Sequence, residues 1–488
     1  MTAKQSLGRK SFVNVAWSYT SFLGSKLFGF VAIVVLARLL GPEDFGLMGF
    51  CIIAIAYLQV LSRFGLGAAL ISRIEDVNRF ANAIFFLGIA NGFLFWTVAW
   101  LSAPSIAAFF EQPEVASLLP VLALALIIEA FSVVPDGFLQ RELRFRAKLV
   151  PDFGRGVVKG TTAIILAFQG YGVWSLVIGH LAGSLTFTIL VFAVRPWRPR
   201  RDLDPQVCRD ALWFGVHLVG AEAIGAIRNN LDAMLVGKFL GAAALGLYTL
   251  AFRIPDLVIR SANMVTGVVL HPIMSSLQHD RDVLRQYYYG CLRYLALFVL
   301  PAGAGIAVIA DPFVRTLYTD EWLPVVVPMQ CLAVALAIST IGFLPGTIYK
   351  AINRPDTLSY TAALKLPLMA VTLWFAVPWG INVVAASQIG LAVSYLLIDL
   401  LVLNHMIRIS FGQIVRAMVP GLVVCILVVG STLATAEMVE NQPLLELVVV
   451  TLCGAFVYVV ALRFVSAELF VELKRALAER KNVAAPSA

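Results

Sequence analysis

The sequence predicts an all-α integral membrane protein of about fourteen transmembrane helices, with two six-helix lobes in parallel repeat and a final helix pair. Three observations support this prediction: the composition, the apolar runs and an internal repeat. Of the 488 residues, 60% are hydrophobic and 14% are charged. Soluble globular proteins have roughly 45–50% apolar and about 25% charged residues. A soluble multidomain enzyme and a disordered scaffold are therefore excluded.

Apolar runs long enough to cross a hydrocarbon core of about 30 Å as helices recur fourteen times. They lie near residues 12–37, 46–70, 80–102, 115–138, 149–168, 171–194, 211–237, 246–273, 287–310, 323–348, 358–378, 382–404, 414–435 and 444–465. The first run is too long for a signal peptide and lacks a cleavage site of small residues, so we predict a retained first helix.

The loops between these runs alternate in charge. Loops on the side of the N-terminus carry 25 Lys and Arg residues, whereas those on the other side carry only 3. Because cytoplasmic loops are enriched in Lys and Arg, we predict that both termini are cytoplasmic. The basic tail after residue 465 is expected to form an amphipathic helix on the inner leaflet.

A repeat joins the two halves of the chain. Residues 36–47 and 236–247 share a basic residue, a Leu-Gly pair and a Gly-Leu pair at the same spacing. Six helices separate the copies, so the repeat is parallel; chance similarity of apolar sequence is the alternative. The predicted boundaries are an N-terminal lobe at 1–200, a second lobe at 201–410, helices 13 and 14 at 411–465 and a cytoplasmic tail at 466–488.

Nine Lys and Arg residues lie inside the predicted spans. Four of them, near cytoplasmic helix ends, can extend to water: Arg63, Arg155, Arg293 and Lys365. The other five lie deeper: Lys26, Lys159, Arg228, Arg253 and Arg260. A cation at a helix centre costs about 2.5–3.5 kcal/mol on insertion scales, so these five are expected to face the protein interior.

Acidic residues accompany some of these cations at spacings that place both on one helix face. The groups are Arg228 with Asp232, Arg253 with Asp256 and Arg260, and Asp152 with Arg155 and Lys159. One interpretation is that each group is a neutral pair that stabilises helix packing. The other is a net positive cavity for an anion, since cations outnumber acids and Arg suits phosphate oxygens.

Motifs for catalysis and cofactor binding are missing from the sequence. It contains no GxxxxGK[ST] nucleotide loop, no GxSxG or HExxH motif and no metal-ligand spacing among its six Cys and five His residues. We therefore predict no enzyme activity, no catalytic residue, no metal and no cofactor. Nucleic acid is excluded as a partner because no basic, aromatic-rich surface lies outside the spans.

Three segments resemble the signatures of bacterial polysaccharide flippases. They are Arg38–Gly46 (RLLGPEDFG), Arg141–Arg146 (RELRFR) and Gly241–Asp256 (GAAALGLYTLAFRIPD). The pattern is similar to the WzxC-like branch of the Wzx-type flippases, in the multidrug/oligosaccharidyl-lipid/polysaccharide exporter (MOP) superfamily. The resemblance implies two lobes around a central cationic cavity, a multi-pass protein of the bacterial inner membrane and membrane lipids as partners.

The implied substrate is an undecaprenyl-diphosphate-linked oligosaccharide, flipped by alternating access for exopolysaccharide or lipopolysaccharide synthesis. Polysaccharide polymerase and export machinery are further partners that the resemblance implies. The family uses cavity cations on its first, second, seventh and eighth helices, and the matching positions here are Lys26, Arg63, Arg228, Arg253 and Arg260. With Lys159, these form the predicted substrate-binding set, and Asp232 and Asp256 are candidates for coupling to H⁺ or Na⁺.

Three other functions stay open from the sequence. A lipid II flippase would share the fold and the lipid anchor. A drug/cation antiporter of the MATE type needs a cation site built on acids, which the cation-rich spans disfavour. A membrane-embedded polymerase or ligase is disfavoured by the short external loops.

Overall fold

The fold is helical throughout the part of the chain that the structure describes. A computed structural model describes residues 28–63, 70, 77–142, 144–200, 205–260, 270–354, 356–439 and 442–465, and it contains no strand in these ranges. The chain divides into two compact units, unit 1 at residues 1–249 and unit 2 at residues 250–488.

Unit 1 is built from long helices joined by short turns. They are α1 (Phe28–Leu39), α2 (Pro42–Arg63), α3 (Val77–Phe110), α4 (Val115–Leu122), α5 (Leu124–Arg141), α6 (Phe145–Phe168), α7 (Val173–Val194) and α8 (Pro205–Pro255), whose residues from Leu250 onward belong to unit 2. Helix α2 starts with a proline followed by Glu43 and Asp44. Proline suits the first helical position, and acidic residues favour the positive end of the helix dipole.

Apolar contacts hold these helices together. Phe80, Ile84 and Phe85 of α3 pack with Val134 and Phe138 of α5 in one buried cluster. A second cluster joins Leu36 and Leu40 to Ala163 and Ala167 of α6. Both clusters use residues one helical turn apart, the spacing that lines one face of a helix.

The two copies of the repeat meet each other reciprocally inside unit 1. A Cβ atom added to Gly46 would overlap the carbonyl oxygen of Ala242, and one added to Gly246 would overlap that of Pro42. The second contact is the first with the two copies exchanged, because Gly246 corresponds to Gly46 and Pro42 corresponds to Ala242. Such self-complementary contacts are those of a two-fold axis. The chain also breaks at equivalent points, since α1 and α2 are separate helices and α8 bends at Gly241, with φ 86°.

Unit 2 contains the second set of helices. They are a π-helical turn at Asp256–Arg260, then α9 (His271–Ser276), α10 (Arg281–Leu317), α11 (Val326–Ile341), α12 (Phe343–Ala351), α13 (Asp356–Ala376), α14 (Ile381–Ile407), α15 (Phe411–Met438) and α16 (Pro443–Val465). Helix α10 is capped by Asp280, whose side chain accepts hydrogen bonds from two backbone amides of the first turn. Helices α10, α15 and α16 share a buried cluster that includes Leu297, Val424 and Ala461.

The structure confirms the predicted fold class. Eleven helices in the described ranges are long and apolar enough to span a membrane. Helix α6 is not among them, and its first 15 residues include Lys148, Asp152, Arg155 and Lys159. Part of the first predicted span lies outside the described residues, so the number fourteen stays a prediction.

Candidate functional site

A buried carboxylate organises the charged residues of unit 1. Glu129 of α5 is only 8% exposed. It accepts a hydrogen bond from Arg155 Nη2 of α6 at 2.6 Å, one from Ser184 Oγ at 3.1 Å and one from Gln59 Nε2 at 3.3 Å. Three donors and an opposite charge compensate the removal of the carboxylate from water. The sequence left Arg155 either to extend to water from a helix end or to pair with Asp152, whereas its guanidinium binds this interior acid on another helix.

A second ion pair lies along the same helices. Lys148 of α6 forms an ion pair with Asp136 of α5 and lies 3.9 Å from Asp152. The amide of Gln140 donates to Asp136 at 2.7 Å. The ring of Phe187 lies under both cations, with its centroid 5.3 Å from Lys148 Nζ and 5.5 Å from Arg155 Cζ. Electrostatic attraction to the ring face holds both cations in place.

These residues line a cavity of about 460 Å³. Its wall carries the side chains of Gln59, Glu129, Asp136, Gln140, Lys148 and Arg155, among others. Ligand pockets usually have volumes of roughly 300–1,000 Å³. In the part of the chain that the structure describes, no group of three His, Cys, Asp or Glu residues could hold a metal ion. We call this space the unit 1 cavity.

Lys159 lies one turn further along α6 from Arg155. Its side chain is exposed, and its Nζ lies 3.4 Å from Nδ1 of His180 on α7. The two helices approach closely here because α7 has Gly183 opposite Lys159, where an added Cβ would meet the Lys159 Cβ at 2.8 Å. This contact joins two helices, and the spacing of the residues in the sequence gives no signal for it.

Arg228 and Asp232 of α8 do not form the neutral pair that was one of the two interpretations of their spacing. Asp232 is 7% exposed and accepts a hydrogen bond from the Tyr248 hydroxyl at 2.9 Å. Arg228 is exposed, and among the described residues it has no hydrogen bond or ion pair. Of the two interpretations that the sequence left open, the local ion pair is therefore not observed at this position.

Arg253 is an exposed cation near the end of α8. The carboxylate of Asp256 and the hydroxyl of Tyr318 lie within electrostatic range of its guanidinium. Asp256 begins the π-helical turn that ends at Arg260, and such turns occur frequently at functional sites. Lys26 and the side chains of Arg63 and Arg260 lie outside the described residues.

Unit 2 has a buried ion pair that sequence reasoning missed. Lys365 Nζ of α13 contacts both carboxylate oxygens of Asp399 on α14 at 2.6 Å. The side chains are only 12% and 7% exposed. Tyr349 donates to the backbone carbonyl of Asp399 at 2.9 Å, and Tyr395 donates to that of Lys365 at 3.0 Å. Lys365 was expected to extend to water, but its charge is neutralised inside the unit.

An exposed ion pair lies at the end of α3. Lys238 Nζ lies 2.7 Å from Glu111 Oε1 and 5.3 Å from the centroid of the Phe109 ring. The hydrogen bond and charge of Lys238 lower the pKa of Glu111. A carboxyl group whose pKa is lowered in the fold stabilises the fold above its unfolded pKa, about 4.3, and loses this contribution as pH falls through the folded value.

We therefore expect Glu111→Gln to lower the melting temperature slightly at pH 7 and to have no effect at the lowest pH at which the protein stays folded. Thermal unfolding of both proteins across this pH range checks the expectation. The effect is small because an exposed pair is screened by solvent. A difference that grows on acidification would contradict this account of the pair.

Comparisons with known proteins define the class of the chain. Residues 35–327 match the family described as "Polysaccharide biosynthesis protein". The teichuronic acid biosynthesis protein TuaB of Bacillus subtilis is 25% identical over 82% of this chain and 84% of its own length. The lipopolysaccharide biosynthesis protein WzxC of Escherichia coli is 25% identical over 83% of this chain and 82% of its own length. The succinoglycan biosynthesis transport protein ExoT of Rhizobium meliloti is 24% identical over 77% of this chain and 79% of its own length.

Solved transporters share the fold. The lipid II flippase MurJ, in an inward closed conformation, matches with a TM-score of 0.75 at 14% identity and covers 93% of this chain and 99% of its own. An inward-facing MATE transporter of the MOP superfamily matches with a TM-score of 0.62 at 16% identity and covers 78% of this chain and 95% of its own.

The fold and the relatives define a multi-pass membrane transporter of the flippase class, and not an enzyme. The match spans more than half of the chain, so the protein belongs to the polysaccharide biosynthesis protein family. The resemblance to Wzx-type flippases of the MOP superfamily is confirmed.

Proposed function

We propose that this protein translocates undecaprenyl-diphosphate-linked oligosaccharide repeat units across the bacterial inner membrane, with both termini in the cytoplasm. The names of three relatives, each covered over about four fifths of its length, place them in the biosynthesis of three different polysaccharides. Transport by alternating access then delivers the units to polymerase and export machinery on the outer side.

One observation in the structure carries this proposal. Arg228 lies within an apolar helix, is exposed and has no acidic partner among the described residues, because the nearby Asp232 is bonded to Tyr248. An unpaired cation in a membrane span is costly and marks a substrate or ion pathway. A guanidinium binds two phosphate oxygens at once, so a diphosphate is a suitable ligand.

Lys159 and Arg253 are the other described members of the proposed binding set, and both side chains are exposed. Lys26, Arg63 and Arg260 complete the set from the sequence. Asp232 and Asp256 are proposed to couple transport to H⁺ or Na⁺. Asp232 is the buried member of the two, so Asp232→Asn is the variant that separates coupling from substrate binding.

We expect Arg228→Ala to lower the rate of flipping by about ten- to a hundredfold, the range of a lost hydrogen bond to a charged group. Flipping is measured in a deletion strain with a probe that labels lipid-linked oligosaccharide in the outer leaflet. Arg228→Lys should retain part of the activity, because lysine keeps the positive charge but cannot bind two phosphate oxygens side by side as a guanidinium does. Lys159→Ala and Arg253→Ala should also reduce the rate.

Arg354→Ala is the matched control, since Arg354 is exposed between α12 and α13 and pairs with Asp356, the first residue of α13. Wild-type flipping by Arg228→Ala at normal expression would remove Arg228 from the site. Normal flipping in the deletion strain itself, with unpolymerised repeat units outside, would point to a polymerase and overturn the proposed function.

Lipid II flipping is the second candidate, because the MurJ fold covers almost the whole chain. The same deletion distinguishes the two functions. Loss of the gene should be lethal for a lipid II flippase, whereas it should abolish a surface polysaccharide in viable cells if the proposed function holds.

A further inference from the structure

The unit 1 cavity differs in charge from the cationic set proposed to bind the diphosphate. Its lining contains three carboxylates, Glu129, Asp136 and Asp152, and two cations, Lys148 and Arg155. Every one of these charges lies within 4 Å of an opposite charge in the same wall. The cavity therefore has no surplus positive charge, and an anion gains little by entering it.

The cavity does offer unused hydrogen-bonding groups. Gln59 and Gln140 each donate one hydrogen bond to a wall carboxylate. In the described part of the chain, the amide oxygen of each makes no further bond, and both side chains are half-buried. An amide has two donors and one acceptor oxygen. A ligand that both donates and accepts hydrogen bonds would satisfy these groups.

Sugar hydroxyls have this property, since each donates one hydrogen bond and accepts two. The wall carboxylates supply acceptors, and the amides supply donors and acceptors. Phe187 holds Lys148 and Arg155 against their acidic partners, so the polar groups have fixed positions before a ligand arrives. Pre-positioned groups avoid the entropy cost of ordering on binding.

The cavity also lies at a suitable end of the unit. Gln59 is in the last turns of α2, Gln140 is in the last turn of α5, and Lys148 is in the first turn of α6. Positive loops predict that this end is cytoplasmic. In the proposed function, the glycan begins transport from the inner leaflet and therefore faces this end.

We propose that the unit 1 cavity binds an uncharged sugar of the lipid-linked oligosaccharide, while the separate cationic residues bind its diphosphate. The inference rests on the proposed function and deepens it. It assigns glycan selection to Gln59 and Gln140, neither of which carries a charge. Recognition of the lipid diphosphate is left to residues such as Arg228.

The test compares two probes on full-length protein in nanodiscs. One probe is undecaprenyl diphosphate, and the other is the same lipid bearing the oligosaccharide extracted from the host strain. Wild-type protein should bind the glycosylated probe more tightly than the sugar-free probe. Gln59→Leu and Gln140→Leu should each lower affinity for the glycosylated probe by about three- to tenfold, the range for one hydrogen bond, and leave the sugar-free probe unchanged.

The variants are designed to preserve the fold. In Gln59→Leu, Glu129 still accepts hydrogen bonds from Arg155 and Ser184. In Gln140→Leu, Asp136 still forms its ion pair with Lys148. If either leucine variant fails to fold, Gln59→Asn and Gln140→Asn retain the amide but withdraw it by one methylene. Gln413→Leu is the matched control, because Gln413 is exposed at the start of α15.

The outcomes separate this inference from the proposed function. Arg228→Ala should weaken both probes by one common factor, because both carry the diphosphate. Two results would show that the sugar site is wrong while the proposed function stands. In one, the glutamine variants bind the glycosylated probe more tightly than the sugar-free probe by the same factor as wild-type protein does. In the other, they lose affinity for both probes equally. If wild-type protein binds neither probe, both proposals are wrong.

Discussion

Asp399→Ala is expected to destabilise unit 2 by about 3–5 kcal/mol, because it leaves the buried ammonium of Lys365 without its counter-ion. The two side chains are almost fully buried, and both carboxylate oxygens contact the lysine. The melting temperature of purified protein, measured by loss of the monodisperse peak in size-exclusion chromatography after heating, should fall markedly.

A double variant distinguishes two causes of the lost stability: the absence of the ion pair itself, and the burial of a lysine charge that has no acidic partner. Replacing both residues by apolar ones, in Lys365→Met with Asp399→Leu, should recover most of the stability, since apolar groups of similar size often substitute for a buried pair without loss. The exposed pair Arg354–Asp356 provides the control, and Asp356→Ala should lower the melting temperature only slightly. Equal losses in the single and double variants would show that the charge is not the cause.

Gly46→Ala and Gly246→Ala are expected to destabilise unit 1 by about 3 kcal/mol or more, at the upper end of overpacking effects. In each case the new methyl group would overlap a backbone carbonyl oxygen of the other repeat copy. Backbone cannot rotate away as a side chain can, so α2 and α8 must move apart. The measurement is again thermal unfolding, together with the yield of folded protein.

The double glycine variant tests the reciprocal geometry. One separation of the two helices relieves both overlaps, so the double variant should cost less than the sum of the single ones. Gly430→Ala is the matched control, because a Cβ there meets nothing within 4 Å and alanine favours the helix. Additive losses would mean that the two contacts are independent, which would contradict the shared axis.

The repeat shows what the sequence could predict. Its signals are local: a basic residue, a Leu-Gly pair and a Gly-Leu pair at the same spacing in 36–47 and 236–247. Hydropathy runs and loop charge are also local, which is why the fold class was predictable. Periodicity could not reveal that the two glycines touch each other, since this depends on how two distant segments pack.

The charged residues show where sequence reasoning failed. It searched for partners three or four residues apart on one helix, and on this basis it offered Arg228 with Asp232 as one possible pair. Two interior cations instead have acidic partners on other helices: Arg155 with Glu129, 26 residues apart, and Lys365 with Asp399, 34 residues apart. Such pairs follow from tertiary packing, and a single sequence carries no signal for them.

The reciprocal glycine contact has the geometry of a homodimer interface inside one chain. A half-length chain with one copy of the motif would place its glycine against a second copy of itself and close as a two-fold dimer through the same contact. Pro42 and Ala242 differ, whereas Gly46 and Gly246 do not. Only the glycine positions must therefore be alike in the two copies, because the residues that they meet contribute a backbone carbonyl and not a side chain.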